Sequence, residues 1–73
     1  MSSTIHRKEI WYSAEWRSWL TTSYNAEGDT IGESETHFHK ADAILYGALS
    51  LKKGEWLFIF TATNKFQKKV QKT

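Results

Sequence analysis

The sequence predicts a small α+β domain in which one helix packs on one face of a sheet of three to four strands. The chain has 73 residues with no proline and no cysteine. It is therefore expected to form a single domain, 1–73, without disulfides or thiolate zinc sites. A clear helical repeat runs from Lys40 to Lys52, and aromatic and β-branched segments typical of strands lie on both sides of it. The expected element order is β-β-α-β, in an antiparallel or mixed sheet.

The N-terminal third is the most ambiguous part of the sequence. Residues 1–8 are polar and are expected to be flexible. Tyr12, Trp16, Trp19 and Leu20 fit a helical stripe, although the aromatic and β-branched composition fits a strand better. We favour a strand over Trp16–Tyr24 and a weak strand over Ile10–Ala14, for which a helix remains the alternative.

A turn and a second strand are expected next. Asn25–Asp29 contains the Asn, Gly and Asp residues that tolerate the positive φ angles of hairpin loops. The strand after it is expected to run from Thr30 to Phe38, with a bulge at Gly32.

The helix is the most clearly patterned element. Its repeat predicts an apolar face toward the sheet, made of Ala41, Ile44, Leu45, Ala48 and Leu49. Gly54 is placed to end the helix. Gly47 costs about 1 kcal/mol relative to alanine in a helix, and we interpret it as a point where the helix approaches the sheet closely.

The last predicted strand spans Glu55–Thr63. It is apolar on both faces, which is typical of a central strand. Residues 64–73 then read as a basic tail with four lysines, Lys65, Lys68, Lys69 and Lys72.

Charge and hydropathy exclude several classes of protein. Ten Lys and Arg residues against eight Asp and Glu give a net charge of +2, too mild to indicate nucleic-acid binding by itself. The longest apolar run, Trp56–Phe60, is far too short to cross a bilayer. Residues 1–9 lack the apolar stretch of a secretory signal, so a cytoplasmic location without membrane association is expected.

No residue pattern predicts a catalytic or metal centre. Glu35, His37 and His39 alternate along a predicted strand and could offer zinc ligands, but on a strand they span about 13 Å and have no evident fourth partner. Ser34 and Ser50 lie in no nucleophile-elbow context, and no glycine-rich phosphate loop is present. We therefore predict no enzyme activity, no catalytic residue, no bound metal and no cofactor.

The aromatic content indicates a binding surface. Four Trp, four Phe and three Tyr are more than one short helix can cover. Either some are exposed at an interface, or the N-terminal segment folds over the second face of the sheet. Both alternatives stay open. The sequence also separates its charges. An acidic cluster precedes the helix and lysines lie in the basic tail, and such segregation can steer association with a partner. The cluster consists of Glu27, Asp29, Glu33 and Glu35.

The Trp-rich stretch Trp11–Leu20, the acidic turn Asn25–Asp29 and the missing chemical centre together resemble small regulators of lytic bacteriophages that bind bacterial RNA polymerase. The resemblance covers the whole chain in size and element order, without a diagnostic motif. It implies an inhibitor of host transcription initiation in the bacterial cytoplasm, with antitermination as a further activity. We separately expect the chain to be a monomer.

Two sets of site residues follow. For a protein partner, we expect Trp16, Arg17 and Trp19 to form an aromatic and basic anchor, with Glu33 and Glu35 as a charged rim. The alternative is a small nucleic-acid-binding domain. In it, sheet aromatics would stack on bases while the tail contacts phosphates through Lys65, Phe66, Lys68 and Lys69.

Overall fold

The computed structural model describes residues 4–73 and shows a five-stranded mixed sheet with one helix packed on it. The elements are β1 (Arg7–Ser13), β2 (Ser18–Tyr24), β3 (Glu35–His37), α1 (Lys40–Ser50), β4 (Trp56–Phe60) and β5 (Phe66–Gln71). The predicted small α+β class is confirmed. The predicted strand count and the order β-β-α-β are wrong, because five strands occur in the order β-β-β-α-β-β.

Strand β1 lies at the centre of the sheet, whose order is β3-β2-β1-β4-β5. It pairs antiparallel with β2 and parallel with β4. Strands β3 and β5 complete the two edges through antiparallel pairing with β2 and β4. A parallel pair needs a long crossover, and β2, β3 and α1 all lie within the connection from β1 to β4.

The N-terminal ambiguity is resolved as a hairpin of two strands. The weak strand predicted at Ile10–Ala14 is the end of β1, which begins earlier, at Arg7. Residues 7 and 8, expected to be flexible, are therefore paired in the sheet, while residues 1–3 of that segment lie outside the described residues. Trp16 and Arg17 were predicted in a strand but lie in the β1–β2 turn, where Arg17 has a φ of 51°.

The segment predicted as a basic tail contributes β5 to the sheet. Phe66–Gln71 pairs along the whole of β4. Because β4 pairs with β1 on one side and β5 on the other, it is an interior strand, as its two apolar faces predicted. The lysines of β5 led to its interpretation as a tail. They suit an exposed edge strand, since charged side chains there discourage pairing with other chains.

The helix presents a different face to the sheet from the one predicted. Ala43 and Gly47 are the buried residues, while Ala41, Leu45, Ala48 and Leu49 are exposed. A Cβ atom on Gly47 would lie 2.9 Å from Leu57 Cδ1 and 3.1 Å from Ile10 Cδ1. The expected close approach at Gly47 is thus confirmed, and it explains why small residues, not leucines, face the sheet.

The core between helix and sheet is almost entirely aliphatic. It consists of Ile10, Ala43, Leu51, Leu57 and Ile59, with Trp19 and Ile44 packed against it. Most of the aromatic side chains therefore lie elsewhere.

Candidate binding surface

The sheet face opposite α1 carries most of the aromatic residues. Successive strand side chains point to opposite faces, and Ile10, Leu57 and Ile59 face the helix. Their neighbours therefore form what we call the open face: Glu9, Trp11, Leu20, Thr22, Tyr24, Trp56, Phe58, Phe60, Phe66 and Lys69.

One half of the open face is an aromatic ladder, defined as Trp56, Phe58, Phe60 and Phe66. The Phe66 ring centroid lies 6.1 Å from that of Phe58 and 6.2 Å from that of Phe60, both edge to face. Trp56 and Phe58 are 6.4 Å apart in the same arrangement. Phe66 is 56% exposed, and the Lys69 ammonium lies 5.3 Å from the Trp56 ring centroid. The ladder thus offers accessible π-surface beside a cation.

A second feature is the Trp16 groove, a cavity of about 430 Å³ lined by Trp16, Leu20, Glu33, Ser34 and Thr36. Trp16 is 68% exposed although its backbone is tied into the β1–β2 turn. Its amide donates to Ser13 Oγ at 3.3 Å, and its carbonyl accepts from Ser18 Oγ at 3.0 Å. The indole is therefore presented to solvent from a hydrogen-bonded turn.

A third feature is the aromatic cavity, of about 250 Å³, lined by Glu9, Trp11, Tyr24, Phe60 and Asn64. It lies beside the Trp16 groove, and Thr22 connects the two. The Trp11 indole donates to Thr22 Oγ1 at 2.9 Å, and the same oxygen lies 2.7 Å from Ser34 Oγ.

An ion pair lies at the rim of the aromatic cavity. Arg7 Nε donates to Glu9 Oε2 at 2.6 Å, and the Arg7 guanidinium lies 4.6 Å from the Tyr24 ring centroid. Burial raises the pKa of Tyr24, and the charge of Glu9 raises it further against the opposing effect of Arg7. Neutral Tyr24 is therefore favoured at this wall.

The five residues predicted to contact a protein partner do not form one patch. Trp16 and Glu33 both line the Trp16 groove, and Arg17 is next to Trp16 in the turn. Trp19 and Glu35 lie on the other face, since Trp19 pairs with His37 and Glu35 with Thr21 in the sheet register.

Trp19 is held within the helix-covered side of the sheet. Its ring centroid is 5.2 Å from that of Tyr12, and the Lys40 ammonium lies 5.0 Å from it. It also packs against the aliphatic core. Trp19 is therefore engaged in the fold, whereas Trp16 is free for contact.

The residues predicted to contact nucleic acid are also divided. Phe66 and Lys69 belong to the open face, where Phe66 is part of the aromatic ladder and Lys69 lies over its Trp56 ring. Lys68 pairs with Ile59 in the register and shares its face, and Lys65 lies just before β5.

Charges are segregated across the sheet. Glu27, Asp29 and Glu33 precede β3 at one edge, while Lys65, Lys68, Lys69 and Lys72 lie on or next to β5 at the other. No acidic residue occurs between positions 56 and 73. The acidic and basic clusters thus occupy opposite edges of one sheet.

The histidines are placed by packing. The His37 ring is 5.1 Å from the Tyr46 ring, and its Nδ1 is buried without a hydrogen-bond partner in the described part of the chain. His39 caps α1 through its extended backbone. Among residues 4–73, no three His, Cys, Asp or Glu side chains are grouped so that they could hold a metal ion.

The serines considered for catalysis form local hydrogen bonds. The Ser34 hydroxyl is hydrogen-bonded to the Thr22 hydroxyl. Ser50 Oγ accepts from Lys8 Nζ at 2.6 Å and donates to the Gly47 carbonyl at 3.1 Å. Lys8 is only 6% exposed, and its burial lowers its pKa, an effect partly opposed by Glu55.

The sequence reasoning missed three exposed apolar side chains on α1 and just before it, which we call the helix patch: Phe38, Leu45 and Leu49. These side chains are 77%, 58% and 77% exposed. Leu45 and Leu49 belong to the apolar repeat that was interpreted as the buried face, so the same signal, read with the size of Gly47 in mind, could have found both. Phe38 lies outside that repeat, at the end of the segment predicted as a strand.

No helix among residues 4–73 is long and apolar enough to span a membrane. Comparisons with protein-family models, curated proteins and solved structures found no match to this chain.

Proposed function

We propose that this protein is a protein-binding regulator that docks on bacterial RNA polymerase and inhibits transcription initiation, with antitermination as a further activity. The choice of RNA polymerase rests on the resemblance of the Trp-rich stretch and acidic turn to phage regulators. The observation that supports protein binding is the Trp16 groove, where a 68% exposed indole stands beside Glu33.

An exposed tryptophan on a fixed turn has the properties of an interface anchor. Tryptophan is enriched among residues that dominate binding energy, because it buries a large area and loses little rotamer freedom. Here the backbone bonds of Trp16 to Ser13 and Ser18 hold the turn before any partner arrives. Binding would then lose little conformational entropy, because the turn is already ordered.

The groove also combines apolar and charged contacts. Leu20, at 7% exposure, provides an apolar wall, and Glu33 provides a charge beside it. A partner segment with an apolar side chain next to a basic one would match both. The acidic edge around Glu33 and the basic edge at β5 would favour one orientation of approach.

The test is the affinity of purified bacterial RNA polymerase for the immobilised full chain. We expect Trp16→Ala to weaken binding about 30-fold, which corresponds to a hot-spot contribution of about 2 kcal/mol. The same substitution should change the free energy of unfolding by less than about 0.5 kcal/mol, as for other exposed positions. Leu49→Ala, which removes an exposed side chain of the helix patch, is the matched control and should bind like the wild type.

Three other results would be informative. If the wild-type chain does not retain RNA polymerase, the proposal is wrong. If Trp16→Ala binds normally, the Trp16 groove is not the interface. If only Leu49→Ala loses binding, the helix patch is the docking surface instead.

A second candidate function, single-stranded nucleic-acid binding, is favoured by the aromatic ladder. Exposed rings on a sheet can stack on bases, and a nearby lysine can contact phosphate. Phe66 and Lys69 supply both groups on one face. Because residues 66–71 form β5, deleting the C-terminus would damage the sheet, so point variants are the appropriate test.

Fluorescence anisotropy with a labelled single-stranded oligonucleotide would measure this activity. We expect Phe66→Ala to weaken binding by about 1–3 kcal/mol, the usual contribution of one stacked base. Lys69→Gln should reduce the salt dependence of binding, whereas Lys68→Gln, on the other face, should have a smaller effect. An affinity that does not fall with rising salt would contradict a phosphate-binding surface.

A further inference from the structure

We propose that the aromatic cavity binds an organic cation, specifically an alkylated ammonium group. This inference concerns a site separate from the Trp16 groove and does not depend on the partner proposed above. It rests on three observations. Three aromatic side chains line the cavity, and a carboxylate lies beside them. A cation of the chain itself already contacts one of these rings and the carboxylate.

The walls of the cavity come from three neighbouring strands. Trp11 lies on β1, Tyr24 on β2 and Phe60 on β4. The face of an aromatic ring carries negative electrostatic potential, so several rings around one space attract a cation. An alkylated ammonium suits such a space better than a bare one, because its methyl groups also gain from leaving water.

Glu9 gives the cavity its charge preference. It is the charged residue among the five that line the cavity, and Asn64 is the other polar one. A carboxylate beside three rings favours cations and disfavours phosphate-bearing ligands. The volume of about 250 Å³ lies below the usual range of drug-sized pockets, about 300–1,000 Å³, so a small head group fits better than an extended cofactor.

The walls are fixed by hydrogen bonds within the chain. Trp11 donates to Thr22 at 2.9 Å. Asn64 forms a reciprocal pair with the Tyr12 backbone, in which the Tyr12 amide donates to Asn64 Oδ1 at 3.0 Å and Asn64 Nδ2 donates to the Tyr12 carbonyl at 3.1 Å. A ligand would therefore pay little to order the site.

Arg7 shows that this surface already attracts a cation. Its guanidinium lies 4.6 Å from the Tyr24 ring centroid, and its Nε bonds to one oxygen of Glu9. Arg7 does not line the cavity itself but lies at its rim. It therefore competes with an incoming cation for Glu9 and Tyr24, which gives the proposal a test with a distinctive direction.

The experiment is a titration of the full chain with choline. The measured signal is the NMR resonance of the Trp11 indole N–H. The neutral isostere 3,3-dimethylbutan-1-ol is the matched ligand control, since it has the same shape without the charge. We expect a saturable shift with choline and at least about fivefold weaker binding of the isostere, as a cation–π contribution of about 1 kcal/mol requires.

Variants of the chain give the second comparison. Glu9→Gln should weaken choline binding, and Arg7→Gln should tighten it by removing the competitor. Glu15→Gln, an acidic residue on the β1–β2 turn, is the charge-matched control and should leave the affinity unchanged. The melting temperature of each variant shows whether it remains folded.

Two ligand sources are separated by a further titration. A short peptide carrying trimethyl-lysine and free choline share the cationic group, and tighter binding of the peptide would indicate a modified protein as the source. Three results would overturn the proposal: no saturable shift with either probe, equal binding of the neutral isostere, or weaker choline binding by Arg7→Gln.

Discussion

The two faces of the sheet differ in chemistry although the same strands build both. On the helix-covered face, Ile10, Leu57 and Ile59 are 0%, 1% and 5% exposed under α1. On the open face, no helix among residues 4–73 covers the aromatic ladder, and Phe66 is 56% exposed. This difference separates stability from recognition: aliphatic side chains close the core, while large rings form a surface that remains accessible.

Gly47 explains how so short a chain keeps an aliphatic core on one face of the sheet and an aromatic surface on the other. Its missing side chain lets α1 lie directly on Ile10 and Leu57. Aliphatic side chains then fill most of the narrow space between helix and sheet, and most of the bulky aromatics are left for the open face. Aromatic rings can stabilise one another edge to face without full burial, as the ladder does.

The largest expected effect tests the helix-covered face. Ile10→Ala removes a fully buried side chain at the centre of the sheet and should destabilise the protein by about 3 kcal/mol. Urea unfolding followed by tryptophan fluorescence would measure it. Leu49→Ala, at 77% exposure, should change stability by less than about 0.5 kcal/mol. Similar losses in both variants would mean that the helix lies on the sheet in another orientation.

A smaller effect is expected where the open face is held to the β4–β5 turn. Asn64 has a φ of 59° and makes two bonds to the Tyr12 backbone. Asn64→Ala should cost about 2–3 kcal/mol, because alanine is strained by about 1 kcal/mol in the left-handed region and loses two hydrogen bonds of about 0.5–1 kcal/mol each. Asn64→Gly removes that strain and isolates the loss of the bonds. A destabilised glycine variant with a stable alanine variant would contradict this assignment.

The smallest effect is a dependence of stability on alkaline pH through Lys8. Because burial lowers its pKa in the folded state, the unfolded chain binds more protons between the lowered value and the ordinary lysine value. Stability should therefore rise with pH across that window. Tyr24 acts in the opposite sense above the ordinary tyrosine pKa, since its own pKa is raised in the folded protein.

Lys8→Met isolates the lysine contribution. Its stability should rise less than that of the wild type over the same pH range, while the Tyr24 contribution stays in both curves and cancels in their difference. A difference that is flat with pH would show that Lys8 is ionised equally in both states.

The fold could be predicted where a local pattern had one interpretation. The helix followed from its periodicity, and the two-faced strand β4 followed from its apolar composition. The helix orientation did not, because Leu45 and Leu49 form a stronger apolar stripe than Ala43 and Gly47, and only the distance between helix and sheet favours the small pair. Strand β5 was missed because its lysines led us to interpret an edge strand as a solvated tail.

The site could be predicted only in part for a related reason. Trp16 and Glu33 were singled out as residue types, and the structure brings them into one groove. Trp19 and Glu35 were grouped with them, but pairing across β2 and β3 places both on the helix-covered side. The aromatic cavity combines β1, β2, β4 and the β4–β5 turn, and its assembly depends on a strand order that no local pattern encodes.

Hydrogen–deuterium exchange of the full chain, alone and bound to bacterial RNA polymerase, tests most directly whether recognition belongs to the Trp16 groove beside the open face. We expect new protection in the β1–β2 turn, residues 14–17, and in residues 31–36 beside Glu33, with no change in α1. Protection confined to Lys40–Ser50 and Phe38 would contradict this division and assign recognition to the helix patch.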